Sequence, residues 1–423
     1  LPLINGDEII TSEDHLHYIN QRGKTIIKPN QLIFQITSEQ VVEAYIERCK
    51  EANPYLNAIV EPRYDAALRE ARGIDKMIAS TDRTPEDLEK EYPLLGVPMT
   101  VKESIAVEGK DNLGRIHLKN PAKRDAAVIR LARAAGAIPI AVTNTPQLCM
   151  NWETYNNVIG ITTNPYDQKR TTGGSSGGES ALISAAGSII GVGSDIAGSL
   201  RLPPMFTGIF GHKPTPRLLS VEGHVPDCLD PDFEEYFTLG PLARYAEDLT
   251  LLLKVLRQPG GPEVPLDKPV CFKCMTIRIV KKKCEITIID MYEYVRVLIF
   301  IYLSFMSLQK LLSGDVVLLH PTFPTPAHLH YRIYYKFLNC GYLTIFNALG
   351  LPVTQCPIGL TRKGLPVGIQ IAANKCNDHL TIAVAKEFEK AFGGWIPPNK
   401  ELLSNIKTAG GLRKKRMALG LQS

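Results

Sequence analysis

Between Thr171 and Lys213 the chain gathers serine and glycine into two short segments. They are Gly173-Gly174-Ser175-Ser176-Gly177-Gly178 and Gly193-Ser194-Asp195-Ile196-Ala197-Gly198-Ser199, separated by the apolar stretch from Ala181 to Ile190. Glycine permits tight turns and close approach to a ligand, and successive amides in such a turn converge on an anion or a developing oxyanion. Two phosphate-binding patterns fail. A Walker loop needs Lys and then Ser or Thr after its second glycine, where this chain has Glu179-Ser180; a dinucleotide loop starting at Gly191 needs glycine where Ile196 stands. Acyl transfer by a serine nucleophile remains. Gly174-Ser175-Ser176-Gly177-Gly178 matches G-x-S-x-G and makes Ser176 one candidate, although Gly/Ser-rich sequence produces that match easily. Ser199 is the stronger candidate, because the amides of Ile196, Ala197 and Gly198 precede it and can form an oxyanion hole around its own attack.

A serine hydroxyl needs a base to take its proton. Of the nine histidines, His212 is the one in a motif near these segments, and its Gly-His-Lys-Pro setting reads as structural. A lysine can serve instead if desolvation removes its charge. Lys102 closes the apolar stretch Leu94 to Glu103, which reads as a short buried strand. Taken alone, that stretch also accommodates a surface lysine at a strand end.

The elements around these residues alternate. The spacing predicts helix from Ser38 toward Ala71, punctuated by Pro54, an amphipathic helix from Tyr64 to Met77, helix from Ala126 to Gly136 and a buried strand from Ala137 to Thr143. Helices are also expected over Tyr245–Leu256 and Leu380–Phe392, a strand and Pro-rich turn over Asp315–Pro326, and a loop with two strands over Ile345–Pro357 and Gly364–Ile371. Such alternation argues for an α/β architecture. Cys149 and Met150 are apolar enough to line a substrate pocket, with core packing as the plainer alternative. Cys271 to Leu311 shows no clean period of either kind.

Composition narrows the class. The 423 residues suffice for a sizeable core, and 44% hydrophobic with 22% charged residues is ordinary for a globular chain. The net charge of +5 owes much to Arg413-Lys414-Lys415-Arg416 in the tail, so it implies no nucleic-acid face. Nine cysteines without regular spacing point to a reducing, intracellular compartment rather than a disulfide framework. Cys271, Cys274 and Cys284 resemble half a zinc site but lack a fourth ligand at finger spacing, so no metal is expected. The longest apolar run, Val297 to Leu308, has 12 residues, against the roughly 20 needed to span a bilayer. The sequence starts at Leu1, which leaves room for a preceding N-terminal membrane anchor.

Three ordered motifs carry a resemblance. Gly96-Val97-Pro98-x-x-Val101-Lys102-Glu103, Gly173-Gly174-Ser175-Ser176-Gly177-Gly178-Glu179 and Gly193-Ser194-Asp195-Ile196-Ala197-Gly198-Ser199-Leu200-Arg201-x-Pro203 are similar to those of the amidase signature family. Flanking segments extend the resemblance from about Ser38 to Pro398. It implies an α/β/α sandwich with a mixed, twisted central sheet, as one domain over residues 1–398 with a basic tail over 399–423. It also implies a Ser-Ser-Lys triad: Lys102 as base, Ser175 as bridging serine on a cis peptide, and Ser199 as nucleophile, with oxyanion donors from Ile196, Ala197, Gly198 and Ser199. Ser176 then bonds locally, Asp195 and Arg201 form an ion pair that fixes the loop, and Ser194 orients the lysine. The resemblance implies hydrolysis of carboxamides through an acyl-enzyme, with fatty-acid primary amides or N-acylethanolamines as substrates and no metal or organic cofactor. A membrane or lipid-droplet surface and a homodimer are the associations it allows. Family members usually carry glycine where Ala197 stands, so a positive φ there would strain the loop. That substitution and the altered segment 271–311 favour the alternative of a silent protein that binds lipid amides; an amidotransferase subunit is a second alternative.

Overall fold

Helix α1, Ser38–Leu56, starts where Thr37 and Gln40 close a capping box: the Thr37 hydroxyl accepts from the Gln40 amide and the Gln40 side chain accepts from Thr37 N–H. Val42, Tyr45, Ile46 and Cys49 bury its inner face. Pro54 sits inside its last turn rather than ending it, and Asn57 in the left-handed conformation terminates the helix. The computed structural model describes residues 36–109, 122–227, 230, 232–279 and 310–398. The sequence expectations for Val297–Leu308, Cys284 and the tail 399–423 lie outside those residues, as does most of the aperiodic 271–311 segment.

In chain order the elements then run β1 (Ile59–Pro62), α2 (Tyr64–Ser80), α3 (Pro85–Glu91), β2 (Pro98–Lys102), α4 (Ala127–Ala134), β3 (Ile138–Thr143), α5 (Gly177–Ser184), β4 (Ile190–Asp195) and α6 (Leu202–Thr207). There follow β5 (Phe210–Lys213), α7 (Phe233–Tyr236), β6 (Thr238–Ala243), α8 (Ala246–Leu256), β7 (Thr276–Ile279), β8 (Val316–Pro321), α9 (Gly341–Ala348), β9 (Val353–Leu360), β10 (Pro366–Ala373) and α10 (Asp378–Phe392). The strands form one ten-stranded sheet in the order β1-β3-β2-β4-β6-β5-β9-β10-β8-β7. It is mixed: β2 runs parallel to β3 and β4, and β7 to β8, while the other pairs are antiparallel. The architecture is α/β, a mixed sheet with helices packed against it, as the resemblance implies. Its main apolar core joins α1, α4, α8 and α10 to the sheet through residues such as Tyr45, Ile129, Leu252 and Val384.

Register positions the chemistry. Val101 pairs with Val192, so Lys102 leaves β2 beside the Gly193-Ser194 end of β4. The N-terminal turn of α5 packs so closely on β4 that a Cβ at Gly191 would lie 1.7 Å from Glu179 Oε1, which is why glycine interrupts that strand. Two elements differ from the sequence expectation and one, β6, had none. Ile59 to Pro62, inside the stretch from Ser38 to Ala71 expected to be helical, forms edge strand β1 against β3. The central strand β6 contains Gly240-Pro241, a pair that argues against a central strand, yet a Cβ at Gly240 would meet the His212 carbonyl at 2.2 Å and only glycine fits. Ile345 to Ala348, expected in a loop, belongs to α9, where Leu343 and Phe346 are buried.

Candidate active site

Lys102 is fully buried at the end of β2, and its amine meets hydroxyls rather than carboxylates. Nζ lies 2.7 Å from Ser175 Oγ and 2.8 Å from Ser194 Oγ, with the Cys149 thiol as a further partner. Burial pushes its pKa below the ordinary lysine range, against the opposing negative fields of Cys149, Asp195 and Glu179. Ser175 follows a cis Gly174–Ser175 peptide bond, and both its amide and its hydroxyl face Ser199 Oγ, at 2.9 and 3.0 Å. The two Gly/Ser segments therefore meet across one unbroken set of hydrogen bonds.

The nucleophile loop is anchored beneath by charge. Asp195 accepts from Arg201 Nη2 at 3.0 Å, Arg201 Nε at 3.1 Å, the Leu200 amide at 2.9 Å and the Asn347 side chain at 2.9 Å, all fully buried. Burial alone would raise its pKa, but the Arg201 charge and these hydrogen bonds hold it well below the usual carboxylate range. Asp195 Oδ1 also takes the Gly198 amide at 2.7 Å, which removes that amide from the expected oxyanion donors. Among the described residues nothing accepts from the amides of Ile196, Ala197 or Ser199. Positive φ falls on Gly198, at 112°, and not on Ala197, so the strain expected from an L-residue at 197 does not arise. Ala197 instead packs beside Trp152 and Leu343, and its carbonyl accepts from Trp152 Nε1 at 3.0 Å.

The remaining sequence candidates fall on either side of this network. Ser176 is buried and its hydroxyl donates to the Ser194 carbonyl at 3.4 Å, away from Lys102. Met150 is 79% exposed and projects from the surface, whereas Cys149 turns inward toward Lys102 and His224. Burial alone would push the Cys149 thiol up, but the fields of Lys102 and His224, when they carry charge, and hydrogen bonds shared with His224 and Thr145 pull it down to about 5. His212 has the structural role its motif suggested, between Asp378 at 3.0 Å and Thr354 at 2.8 Å. Cys271 and Cys274 are exposed, and among the described residues no group of side chains has metal-ligand geometry.

Sequence reasoning missed three contributors. Asn347 joins Asp195 from α9, and Glu179 is a buried acid raised to about 8 by burial, hydrogen-bonded by the Thr100 and Thr143 hydroxyls. His224, in the loop between β5 and α7, reaches Ser194 Oγ at 3.2 Å. None of these lies in a motif with the residue it serves, so linear spacing carried no signal.

Comparison with known proteins agrees with this geometry. The amidase family model matches residues 40–295 and 302–382, and the chain belongs to the amidase signature family. It is an amide-hydrolysing enzyme similar to the fatty-acid amide hydrolase 2 group. It is 35% identical to fatty-acid amide hydrolase 2 of Homo sapiens, covering 85% of this chain and 87% of that protein. The identity to fatty-acid amide hydrolase 2-B of Danio rerio is also 35%, over 86% of this chain and 88% of the relative. A solved fatty acid amide hydrolase shares the fold with a TM-score of 0.73 at 19% identity, over 91% of this chain and 85% of that one. Among the described residues no helix is long and apolar enough to cross a membrane.

Proposed function

We propose that this enzyme hydrolyses fatty-acid amides, primary amides or N-acylethanolamines, through acylation of Ser199. The observation that carries this reading is the chain of contacts from Ser199 Oγ to Ser175 Oγ at 3.0 Å and on to Lys102 Nζ at 2.7 Å. Neutral Lys102 takes the Ser175 proton as Ser175 takes that of Ser199, and Ser199 Oγ adds to the amide carbonyl. The amides of Ile196, Ala197 and Ser199 receive the oxyanion. As the C–N bond breaks, the proton returns through Ser175 to the leaving nitrogen, which departs as ammonia or an amine. Water then adds to the acyl-enzyme, giving up its proton through the same relay, and the fatty acid leaves as Ser199 recovers its hydrogen.

An apolar wall beside the nucleophile supports an acyl-chain substrate. Trp152, tied to Ala197, packs at a tilt on Phe337 with ring centroids 5.6 Å apart, and Phe337 is 63% exposed. Leu343 closes against Gly198 on the inner side. Relatives of this identity that are named for fatty-acid amides favour the same class.

The test is labelling of the purified chain with a fluorophosphonate, mapping of the modified serine by mass spectrometry, and hydrolysis of oleamide against acetamide. Label on Ser199, its loss in Ser199→Ala, and a higher kcat/KM for oleamide are expected. Label on Ser176, or a folded wild-type chain that takes no label, overturns the assignment, the second outcome in favour of a silent lipid-amide binder.

A further inference from the structure

The lysine touches a second hydroxyl, and that hydroxyl leads to a histidine. Ser194 Oγ lies 2.8 Å from Lys102 Nζ and 3.2 Å from His224 Nε2, while His224 Nδ1 lies 3.1 Å from the Pro226 carbonyl oxygen. His224 is buried, its ring sits 4.6 Å from that of Phe237, and its backbone bridges to Ile105, whose amide donates to the Lys102 carbonyl at 2.9 Å. The imidazole is thus held against the lysine from two sides.

Proton counting fixes the polarity of this chain. A carbonyl oxygen can only accept, so His224 Nδ1 carries a hydrogen, and in the neutral ring Nε2 is then a bare acceptor. Two groups face Nε2, the Ser194 hydroxyl and the Cys149 thiol; a thiol is the weaker donor, so the Ser194 proton goes to Nε2. Ser194 Oγ is left with lone pairs alone to offer Lys102, so the neutral amine turns an N–H toward Ser194. Its lone pair is thereby free for Ser175.

We propose that His224 is a positioning residue for catalysis: by accepting the Ser194 proton it aims the Lys102 lone pair at Ser175 and sets the direction in which the Ser199 proton flows. The inference rests on the triad reading above and adds to it a residue outside every motif. Protonation of His224 reverses the chain. Nε2–H then donates to Ser194 Oγ, the Ser194 proton turns toward Lys102, and the lone pair is withdrawn from Ser175. The titratable groups facing the ring are the Cys149 thiol and Lys102 beyond Ser194. On the loop that carries His224, Glu222 is occupied by Arg124 and Arg130 at 3.0 Å each. Phe237, stacked on Phe233, covers the ring without charge.

The experiment measures fluorophosphonate inactivation and decanoyl-p-nitroanilide hydrolysis by the full chain between pH 5 and 9, with thermal unfolding as a check on folding. His224→Gln supplies a neutral acceptor to Ser194, so it should retain activity within about tenfold. His224→Asn keeps a donor for the Pro226 carbonyl but has no atom at the Nε2 position. It should lose about 10²-fold in kcat at unchanged KM. Equal impairment of the two variants, a loss in His224→Asn that falls on KM instead of kcat, or two variants that match the wild type overturns the inference. If His224→Asn fails to fold, Ser194→Ala decides, with the same loss in kcat at unchanged KM expected and wild-type kcat overturning the inference. Ser199→Ala and Lys102→Ala run alongside: persistent label in Ser199→Ala marks failure of the triad, whereas silent controls with wild-type His224 variants mark failure of this inference alone.

Discussion

Lys102 and Arg201 are both fully buried basic side chains seated against the same strand end, Ser194-Asp195, and their surroundings treat them in opposite ways. Arg201 meets a carboxylate in a two-pronged contact and gains Asn347 and the Leu343 carbonyl besides. Lys102 hydrogen-bonds to two neutral serines, and no carboxylate lies within hydrogen-bond reach among the described residues. The difference lies in partners, since burial is the same. An amine without a carboxylate partner sheds its proton when desolvated, while a guanidinium remains charged in proteins. The fold thus puts a base that can discharge where a proton must move, and a permanent charge where a loop must be held still.

The comparison breaks first at Lys102. Lys102→Ala should lower kcat by about 10² to 10⁴-fold, and Lys102→Arg should do no better, because a guanidinium cannot take the Ser175 proton. Wild-type kcat/KM should rise with pH through a transition below the ordinary lysine range, since the neutral amine is the active form and burial depresses its pKa. An arginine variant within tenfold of wild type would make the discharge argument untenable. Asp195→Asn tests the other half. Removing one partner of a buried ion pair strands the other, and urea denaturation at pH 7 should show a loss of about 3–5 kcal/mol. The sign follows from linkage: Asp195 has its folded pKa depressed, so its contribution is present above the unfolded carboxylate pKa and is lost as pH falls. The gap between wild type and Asp195→Asn should therefore shrink below about pH 4. A gap under 1 kcal/mol at pH 7 would leave the loop without an electrostatic anchor.

How much of this was readable in advance depends on whether the partners are neighbours in sequence. α2, α4, β3 and α8 follow hydrophobic periodicity and could be read from the chain, whereas the Asp195–Arg201 pair, although only six residues apart, came with the resemblance. Lys102, Ser175 and Ser199 could be joined only by resemblance, since no local spacing says that the end of β2 lies beside two serine segments. β6 was hidden because Gly240-Pro241 suits a turn, and the pressure that selects glycine there comes from the His212 carbonyl on the neighbouring strand. His224 and Asn347 were hidden for the same reason: each acts on a residue 30 or 152 positions away. The Ala197 strain expected from sequence vanished because the backbone puts its positive φ one residue later, at Gly198.

The smallest expected effect sharpens the comparison most. The Cys149 thiol is the acidic group beside Lys102, and its charge, when it ionises, works against discharge by drawing the lysine pKa up. The two groups are coupled: the protonated lysine is what pulls the thiol down, so a charge on one sustains a charge on the other. Cys149→Ala should therefore shift the acid limb of kcat/KM toward lower pH, leaving the plateau nearly unchanged. Below about pH 5 the wild-type thiol is itself protonated, so the advantage of the variant should stop growing there. The check is a pair of kcat/KM profiles on decanoyl-p-nitroanilide at constant ionic strength. A limb that moves to higher pH would mean that Cys149 helps to discharge the lysine, and the contrast with Arg201 would then rest on the serines' hydrogen bonds instead of on the absence of a carboxylate partner.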